Sequence, residues 1–137
     1  MALDVGDKTI GIAISDALLL TAQARPTILR KNLKSDIEIL RRLIEENEVH
    51  EIVVGQPLHM NGKESRQGRK VTSFAGELKK SLAIPVIFWD ERLTSFAAEQ
   101  HLEELGLNWR QRRKHVDKVA AMIILQDYLD SRPGRTA

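Results

Sequence analysis

The chain has 137 residues and a hydrophobic content of 42%, which fit one globular domain with a substantial core. Cysteine is absent, which excludes disulfides, thiolate zinc sites, iron–sulfur clusters and cysteine nucleophiles and is compatible with a reducing cytoplasm. The start of the chain matches neither a signal peptide nor a membrane span. We therefore expect a single cytoplasmic domain over residues 1–137 that makes no membrane contact.

The formal net charge of +2 is too small to identify a nucleic-acid-binding protein by itself, but the charges are distributed unevenly. Residues 108–118 contain a single acid, Asp117, among several cations. These cations are Arg110, Arg112, Arg113, Lys114 and Lys118. The positive charge is therefore concentrated on one segment near the end of the chain.

Three strands are predicted at the start of the chain. Residues 2–5 are apolar apart from Asp4, and residues 9–15 alternate, with Ile10, Ile12 and Ile14 on one face; the tight turn at residues 6–8 predicts a hairpin between the two strands. Residues 24–29 form a weaker candidate for a third strand. Because proline cannot donate to a strand ladder, Pro26 predicts that this strand lies at an edge or carries a bulge.

The remaining elements alternate between helix and strand. The stretch "SDIE" has the form of a capping box, and apolar residues at helical spacing follow it. Two short β-branched runs predict buried strands. The predicted order is a helix from Ser35 to about Glu48, a strand at 51–55, a helix through Val71 and Leu82, a strand at 85–91, a helix from Thr94 or Ser95 to Leu105, and a helix from Val116 to Ser131.

This order of elements predicts an α/β fold. A hairpin followed by strand-helix-strand units indicates a five-stranded mixed sheet, antiparallel at the front and parallel behind, with helices on both faces. Polar groups at the carboxyl ends of the parallel strands are then the expected functional site.

Asp4 interrupts the first strand, which is otherwise apolar. Leu3 and Val5 share one face of the strand, so Asp4 faces the opposite side, which helices should also cover. A carboxylate there is partly desolvated, and leaving it without a partner costs several kcal/mol or raises its affinity for a proton. A bound cation resolves this cost, and hydrogen bonds from backbone amides are the alternative.

Two further acidic positions are candidates. Asp90 and Glu91 stand at the end of the fifth predicted strand, and Asp117 lies in the first turn of the last predicted helix. If the fourth strand lies between the first and the fifth, those two strands are about 10 Å apart, and carboxylates can close that gap around a metal pair about 4 Å across. Solvated strand ends and a complemented helix N-terminus are the structural alternatives.

Four blocks of the sequence together resemble the YqgF/RuvX family of the RNase H-like superfamily. The blocks are "LDVGDKTIGIAISD", "VGQPLHMNG", "DERLTS" and "DKVAAMIILQDYL". The resemblance implies an RNase H-like fold and nuclease activity. It also implies that Asp4, Glu91 and Asp117 are the catalytic acids and bind two ions of Mg²⁺ or Mn²⁺. Asp90 matches the family's catalytic positions less well. The chain departs from the expected pattern at Gln56. Related resolvases carry an acid after this strand, and the usual family motif "VGLP" has leucine at this position.

Members of this family are described as pre-16S rRNA nucleases and as Holliday junction resolvases. The resemblance favours 5′-end processing of pre-16S rRNA in ribosome biogenesis, with resolution of branched DNA and a non-catalytic RNA-binding assembly factor as alternatives. The chain could be a monomer or a weak homodimer. Candidate nucleic-acid contacts are Lys8, Arg92, Arg110, Arg112, Arg113 and Lys114. The structural alternative is a solvated cation for Lys8 and for the basic segment, whereas for Arg92 it is orientation of Glu91.

An ATPase is the other enzyme class that the first block resembles. Its aspartate and glycines are similar to the phosphate loop of actin-like and sugar-kinase ATPases. Those folds need two such domains with a cleft between them, and 137 residues cannot supply both.

Overall fold

The computed structural model describes residues 1–57, 62–63, 65–90 and 109–132, with only the backbone described for residues 109–118. Its sheet has five strands in the order β3-β2-β1-β4-β5. The strands are β1 (Ala2–Val5), β2 (Thr9–Ser15), β3 (Ala22–Leu29), β4 (Ile52–Gln56) and β5 (Val86–Asp90). β1 is antiparallel to β2 and parallel to β4, and β4 lies between β1 and β5, so the predicted mixed sheet is confirmed.

The third strand has both features that its proline predicts. Among the described strands β3 pairs with β2 alone and so lies at an edge, and its pairing register shifts between Ile28 and Arg25. On β2 the shift spans Gly11 alone, whereas on β3 it spans Pro26 and Thr27. The extra residue is a bulge, which accommodates the proline without a missing ladder bond in the middle of the sheet.

Three helices lie in the described part of the chain: α1 (Leu33–Glu46), α2 (Arg66–Ser81) and α3 (Trp109–Ser131). The predicted cap of α1 at Ser35 is wrong. Asn32 is the N-cap, and its side-chain oxygen accepts a hydrogen bond from the Ser35 amide. The predicted start of the last helix at Val116 is also wrong, because α3 begins at Trp109. The helix predicted from residue 94 or 95 to 105 lies outside the described residues.

The helices pack on opposite faces of the sheet. On the α1/α2 face, Leu3 and Val54 belong to a core that includes Leu40 of α1 and Val71 of α2. On the α3 face, a smaller core contains Ala2, Ala13, Val53, Ala121 and Ile124. Helices on both faces are therefore confirmed.

A search of the described residues finds no helix that is long and apolar enough to cross a membrane.

Candidate nuclease site at the carboxyl end of the central strand

Asp4 lies near the carboxyl end of β1, on the α3 face of the sheet. Its neighbours Leu3 and Val5 belong to the core beneath α1 and α2, whereas Ala2 belongs to the core beneath α3. Because side chains alternate along a strand, Asp4 shares the α3 face with Ala2. The carboxylate residue is half-buried. The prediction that Asp4 points toward a second helix-covered face is therefore confirmed.

Glycines flank Asp4 on both neighbouring strands. Gly11 pairs with Asp4 across the hairpin. On the other side Val54 pairs with Leu3, so the next residue of β4, Gly55, comes alongside Asp4. Both glycines are buried. Any side chain at these two positions would project from the same face as Asp4, so the two glycines place no side chain beside it on that face.

Asp90 is the last residue of β5 and pairs with Gln56. Phe88, two residues earlier in β5, packs against the core on the α1/α2 face, whereas Trp89 packs against the core on the α3 face. Asp90 therefore belongs to the face opposite Asp4, and so does Gln56. The other predicted residues of this segment, Glu91 and Arg92, lie outside the described residues.

Asp117 belongs to α3, beyond the second turn of the helix rather than in its first turn. Near the other end of α3, the Tyr128 hydroxyl donates a hydrogen bond to the carboxylate of Glu51, which precedes β4. Asp117 comes 11 residues before Tyr128, or about 16 Å along a helix. Gly55 is four residues beyond Glu51, or about 13 Å along a strand. The backbone of Asp117 is therefore at about the level of Gly55 and Asp4.

The basic segment at residues 110–114 lies within α3. Its four cations occupy the first two turns of the helix, not a loop before it. α3 begins toward the carboxyl end of β1 and ends near the amino end of β4. Its first two turns therefore lie beyond Asp117, on the side away from the middle of the sheet. Arg110, Arg112, Arg113 and Lys114 thus belong to the same end of the molecule as Asp4.

The turn after Asp4 is held by residues from other elements. The Arg30 guanidinium donates a hydrogen bond to the Gly6 carbonyl at 2.8 Å, and the Arg30 amide donates to the Lys8 carbonyl at 2.8 Å. From α2, the Gln67 side-chain amide donates to the Val5 carbonyl at 3.1 Å. Lys8 is exposed at the tip of this fixed turn. Sequence reasoning identified Lys8 but missed Arg30 and Gln67, since no local pattern links them to the turn.

A cavity of about 490 Å³ lies at the opposite end of the sheet, next to Glu51 and Tyr128. Burial, followed by the hydrogen bond to Glu51, raises the pKa of the Tyr128 hydroxyl. Trp89 contacts Tyr128 edge-on, with ring centroids 5.9 Å apart, and so helps to hold α3 on the sheet. This cavity is remote from Asp4, so the candidate site is defined by the acid and its glycine neighbours.

Of the three predicted acids, Asp4 is the one whose side chain the structure describes. Among the described side chains there is no group of three or more His, Asp or Glu residues that could hold a metal ion. The convergence of Asp4, Glu91 and Asp117 therefore stays a prediction.

The strand order, the helices on both faces and the acid at the end of the central strand define an α/β protein with an RNase H-like fold. Among solved structures, T. thermophilus RuvC in complex with a Holliday junction substrate matches 96% of this chain and 93% of its own, with a TM-score of 0.55 and 14% sequence identity. This similarity shows the fold, as the sequence predicted.

The chain belongs to the RuvX family, whose family model is described as "Holliday junction resolvase" and matches residues 1–131. A relative from Clostridioides difficile (strain 630) is 51% identical over 95% of this chain and 92% of its own length. A relative from Clostridium tetani (strain Massachusetts / E88) is 51% identical over 96% and 95%. Both carry the name "Putative pre-16S rRNA nuclease". The resemblance seen in the sequence and the expectation of a nuclease family are confirmed.

Proposed function

We propose that this chain is a divalent-metal-dependent nuclease that hydrolyses phosphodiester bonds of structured nucleic acid, and that its substrate is the 5′ end of pre-16S rRNA. The observation that carries the proposal is Asp4, a half-buried acid at the end of the central strand with a glycine on each side. The names of relatives that are about half identical to this chain support the choice of substrate.

The proposed catalytic and metal-binding residues are Asp4, Glu91 and Asp117. Carboxylate oxygens are the ligands that Mg²⁺ and Mn²⁺ prefer, and Gly11 and Gly55 place no side chain beside Asp4 on its face of the sheet. Two such ions, when bound, supply activation of the attacking water and stabilisation of the leaving oxygen. Because Asp90 belongs to the opposite face, the sheet geometry favours Glu91 as the acid from the "DER" motif.

The cations near the site are proposed to bind the substrate. Lys8, at the tip of the fixed turn, and Arg92 are proposed to contact phosphates close to the scissile bond. The segment at residues 110–114 is proposed to contact the backbone further away, without base specificity. The protein is proposed to act in the cytoplasm as a monomer or weak homodimer.

Resolution of four-way DNA junctions is the second candidate function. It is favoured by the description of the family model and by the fold shared with RuvC. Junction resolution requires two strands to be cut, and hence two active sites in a dimer. Oligomeric state and substrate preference therefore distinguish the two candidates together.

The test compares cleavage of a precursor rRNA transcript and a four-way DNA junction, each with Mg²⁺, Mn²⁺ or EDTA. Asp4→Asn and Glu91→Gln should each lower the rate at least about 100-fold, since even indirect partners of metal ligands cost 10- to 100-fold when removed. Asp90→Asn, the neighbouring carboxylate on the opposite face, is the matched control and should retain activity.

Each alternative has its own outcome in this test. Cleavage of the junction alone would favour the resolvase. Tight binding of the rRNA without metal-dependent cleavage would favour the non-catalytic assembly factor. Equal rates in wild type and Asp4→Asn would contradict catalysis at this site.

A further inference from the structure

A second basic surface lies on the α1/α2 face, at the same end of the sheet as Asp4. It is formed by the residues between β3 and α1 and by the first turns of α1 and α2. Its cations are exposed apart from the half-buried Arg30. We name it the α1/α2 basic surface, and its residues are Arg30, Lys31, Lys34, Arg66, Arg69 and Lys70.

Contacts to the turn after Asp4 connect the α1 and α2 sides of this surface through Arg30 and Lys70. The Lys70 ammonium lies 3.0 Å from the Asp7 carboxylate. Arg30 binds the same turn through the Gly6 carbonyl. The Asp36 carboxylate accepts a hydrogen bond from the Lys31 amide at 3.1 Å, which fixes the entry into α1. The surface therefore adjoins the turn that connects directly to the catalytic strand.

A groove of about 500 Å³ runs between the beginnings of α1 and α2 within this surface. Phe74 forms part of its wall, and the Arg30 guanidinium is stacked 4.9 Å from the centroid of the Phe74 ring. Arg69 and Lys70 line one side, and Ser73 offers a hydroxyl. The groove thus combines three cations with an aromatic ring and a hydrogen-bonding side chain.

The acids near the groove offset only part of the charge of the α1/α2 basic surface. Asp36 is 1% exposed and is paired with Arg30, so these two charges offset each other. Asp7 is paired with Lys70. Glu77 lines the groove one to two turns further along α2. A polyanion would therefore meet an excess of positive charge at the end nearest to Asp4, and the N-terminal dipoles of α1 and α2 add to it.

We infer that the α1/α2 basic surface binds the phosphate backbone of the nucleic acid on the side of the cleaved bond away from α3. The inference rests on the proposed function and extends it. With the basic turns of α3 on the other face, the substrate spans the carboxyl edge of the sheet. Arginine binds phosphate in a two-pronged geometry, and successive phosphates of a folded RNA or duplex match a row of cations. The substrate is therefore a folded or double-stranded segment rather than a short single strand.

The test measures binding of a fluorescent precursor rRNA stem in EDTA, where no cleavage occurs, over a series of salt concentrations. The double variant Lys34→Gln/Arg69→Gln should weaken binding about tenfold or more and lower the slope of log Kd against log salt by about two, one for each lost phosphate contact. The matched control is Arg42→Gln/Lys79→Gln, which removes the same charge from the same two helices further along their length. Its effects on the affinity and on the salt slope should each be less than a third of those of Lys34→Gln/Arg69→Gln.

A cleavage assay on the same proteins separates this inference from the proposed function. We expect Lys34→Gln/Arg69→Gln to raise KM with kcat unchanged, because the groove does not touch the reacting atoms. Unchanged binding, or equal losses in the two double variants, would overturn the inference while leaving catalysis at Asp4 intact. Conversely, the wild-type protein could bind the stem through this surface and yet cleave neither substrate. That result would contradict the proposed nuclease function and support the inferred binding surface.

Discussion

Arg30 and Asp36 form an ion pair across the entrance to α1, with 3.3 Å between Nε and Oδ2, and the Asp36 side chain is 1% exposed. The same carboxylate accepts a hydrogen bond from the Lys31 amide, and the same guanidinium donates to the Gly6 carbonyl. Two residues that play no direct part in the proposed chemistry thus join the start of α1 to the turn that follows Asp4.

Removing the Asp36 carboxylate should destabilise the protein. Asp36→Ala leaves the half-buried Arg30 without its partner and the Lys31 amide without its acceptor, and loss of one member of a buried pair costs about 3 kcal/mol or more. Because Arg30 retains 24% exposure, we expect about 2–3 kcal/mol from urea denaturation at neutral pH.

The control for this prediction is Glu38→Gln on the same helix. Glu38 is 47% exposed and paired with Arg41 on the surface, so its substitution should change the free energy of unfolding by less than about 0.5 kcal/mol. Equal effects of the two substitutions would show that the Arg30–Asp36 pair contributes no more than a surface ion pair.

Local patterns predicted the strands better than the helix ends. β1 and β2 match their predicted bounds because period-two alternation is a local signal. The start of α1 was misplaced since two capping residues compete within four positions, and Asn32 rather than Ser35 forms the cap. The start of α3 was missed because its first two turns lack apolar periodicity, although arginine, glutamine and lysine are good helix formers.

For the candidate site, too, the sequence predicted the features that depend on local patterns and missed those that depend on tertiary packing. The face of Asp4 follows from strand alternation, and the basic run at residues 110–114 is contiguous in the sequence. The α1/α2 basic surface was not predicted, because Arg30 is brought together with Arg69 and Lys70 by tertiary packing alone. Asp36 lies inside the stretch predicted as a capping box, and its partners, Arg30 and the Lys31 amide, were not predicted.

Metal binding should raise the melting temperature through Asp4. At ten times the dissociation constant, a ligand that binds only the folded state stabilises it by about 1.4 kcal/mol, which is about 2–6 °C for a chain of this size. Asp4→Asn should lose this rise in Mg²⁺ or Mn²⁺, as measured by differential scanning calorimetry. In EDTA it should melt no lower than wild type, since in the proposed site Asp4 is one of three carboxylates that repel one another when no metal is bound. A variant that unfolds early without metal would instead assign Asp4 a structural role.

Asp16 should contribute to stability only above acidic pH. Its Oδ1 accepts hydrogen bonds from the Leu20 amide at 2.7 Å and the Thr21 amide at 3.2 Å, and these bonds lower the pKa of the carboxyl below its ordinary value of 3.8. The unfolded state then binds the proton more readily, so the contribution is fully present above pH 3.8 and is lost as the pH falls through the folded-state pKa.

Urea denaturation of Asp16→Asn and wild type at several pH values tests this sign. The difference in the free energy of unfolding should be constant between pH 7 and about pH 5 and should shrink below pH 3.8. A difference that grows toward low pH would contradict the assignment of the two amide hydrogen bonds to the ionised carboxylate.

Close packing of α3 on the sheet should matter for activity as well as stability. Ala121 is fully buried and belongs to the same core as Ala2, Ala13 and Val53, so at this position a small side chain of the helix faces small side chains of β1 and β2. Ala121→Leu would overpack this contact, at a cost of about 1–3 kcal/mol, and displace α3. Because Asp117 is on the same helix one turn earlier, a displacement of about 1 Å should lower kcat/KM by about 100-fold even where the protein is folded.

Met122→Leu is the matched control, since Met122 packs against the same core and the change conserves volume, with an expected cost below about 1.5 kcal/mol. Circular dichroism would establish that both variants are folded at the assay temperature before their rates are compared. If Ala121→Leu were folded and fully active, the position of α3 would not control catalysis, and Asp117 could not be a ligand that must meet Asp4 across this interface.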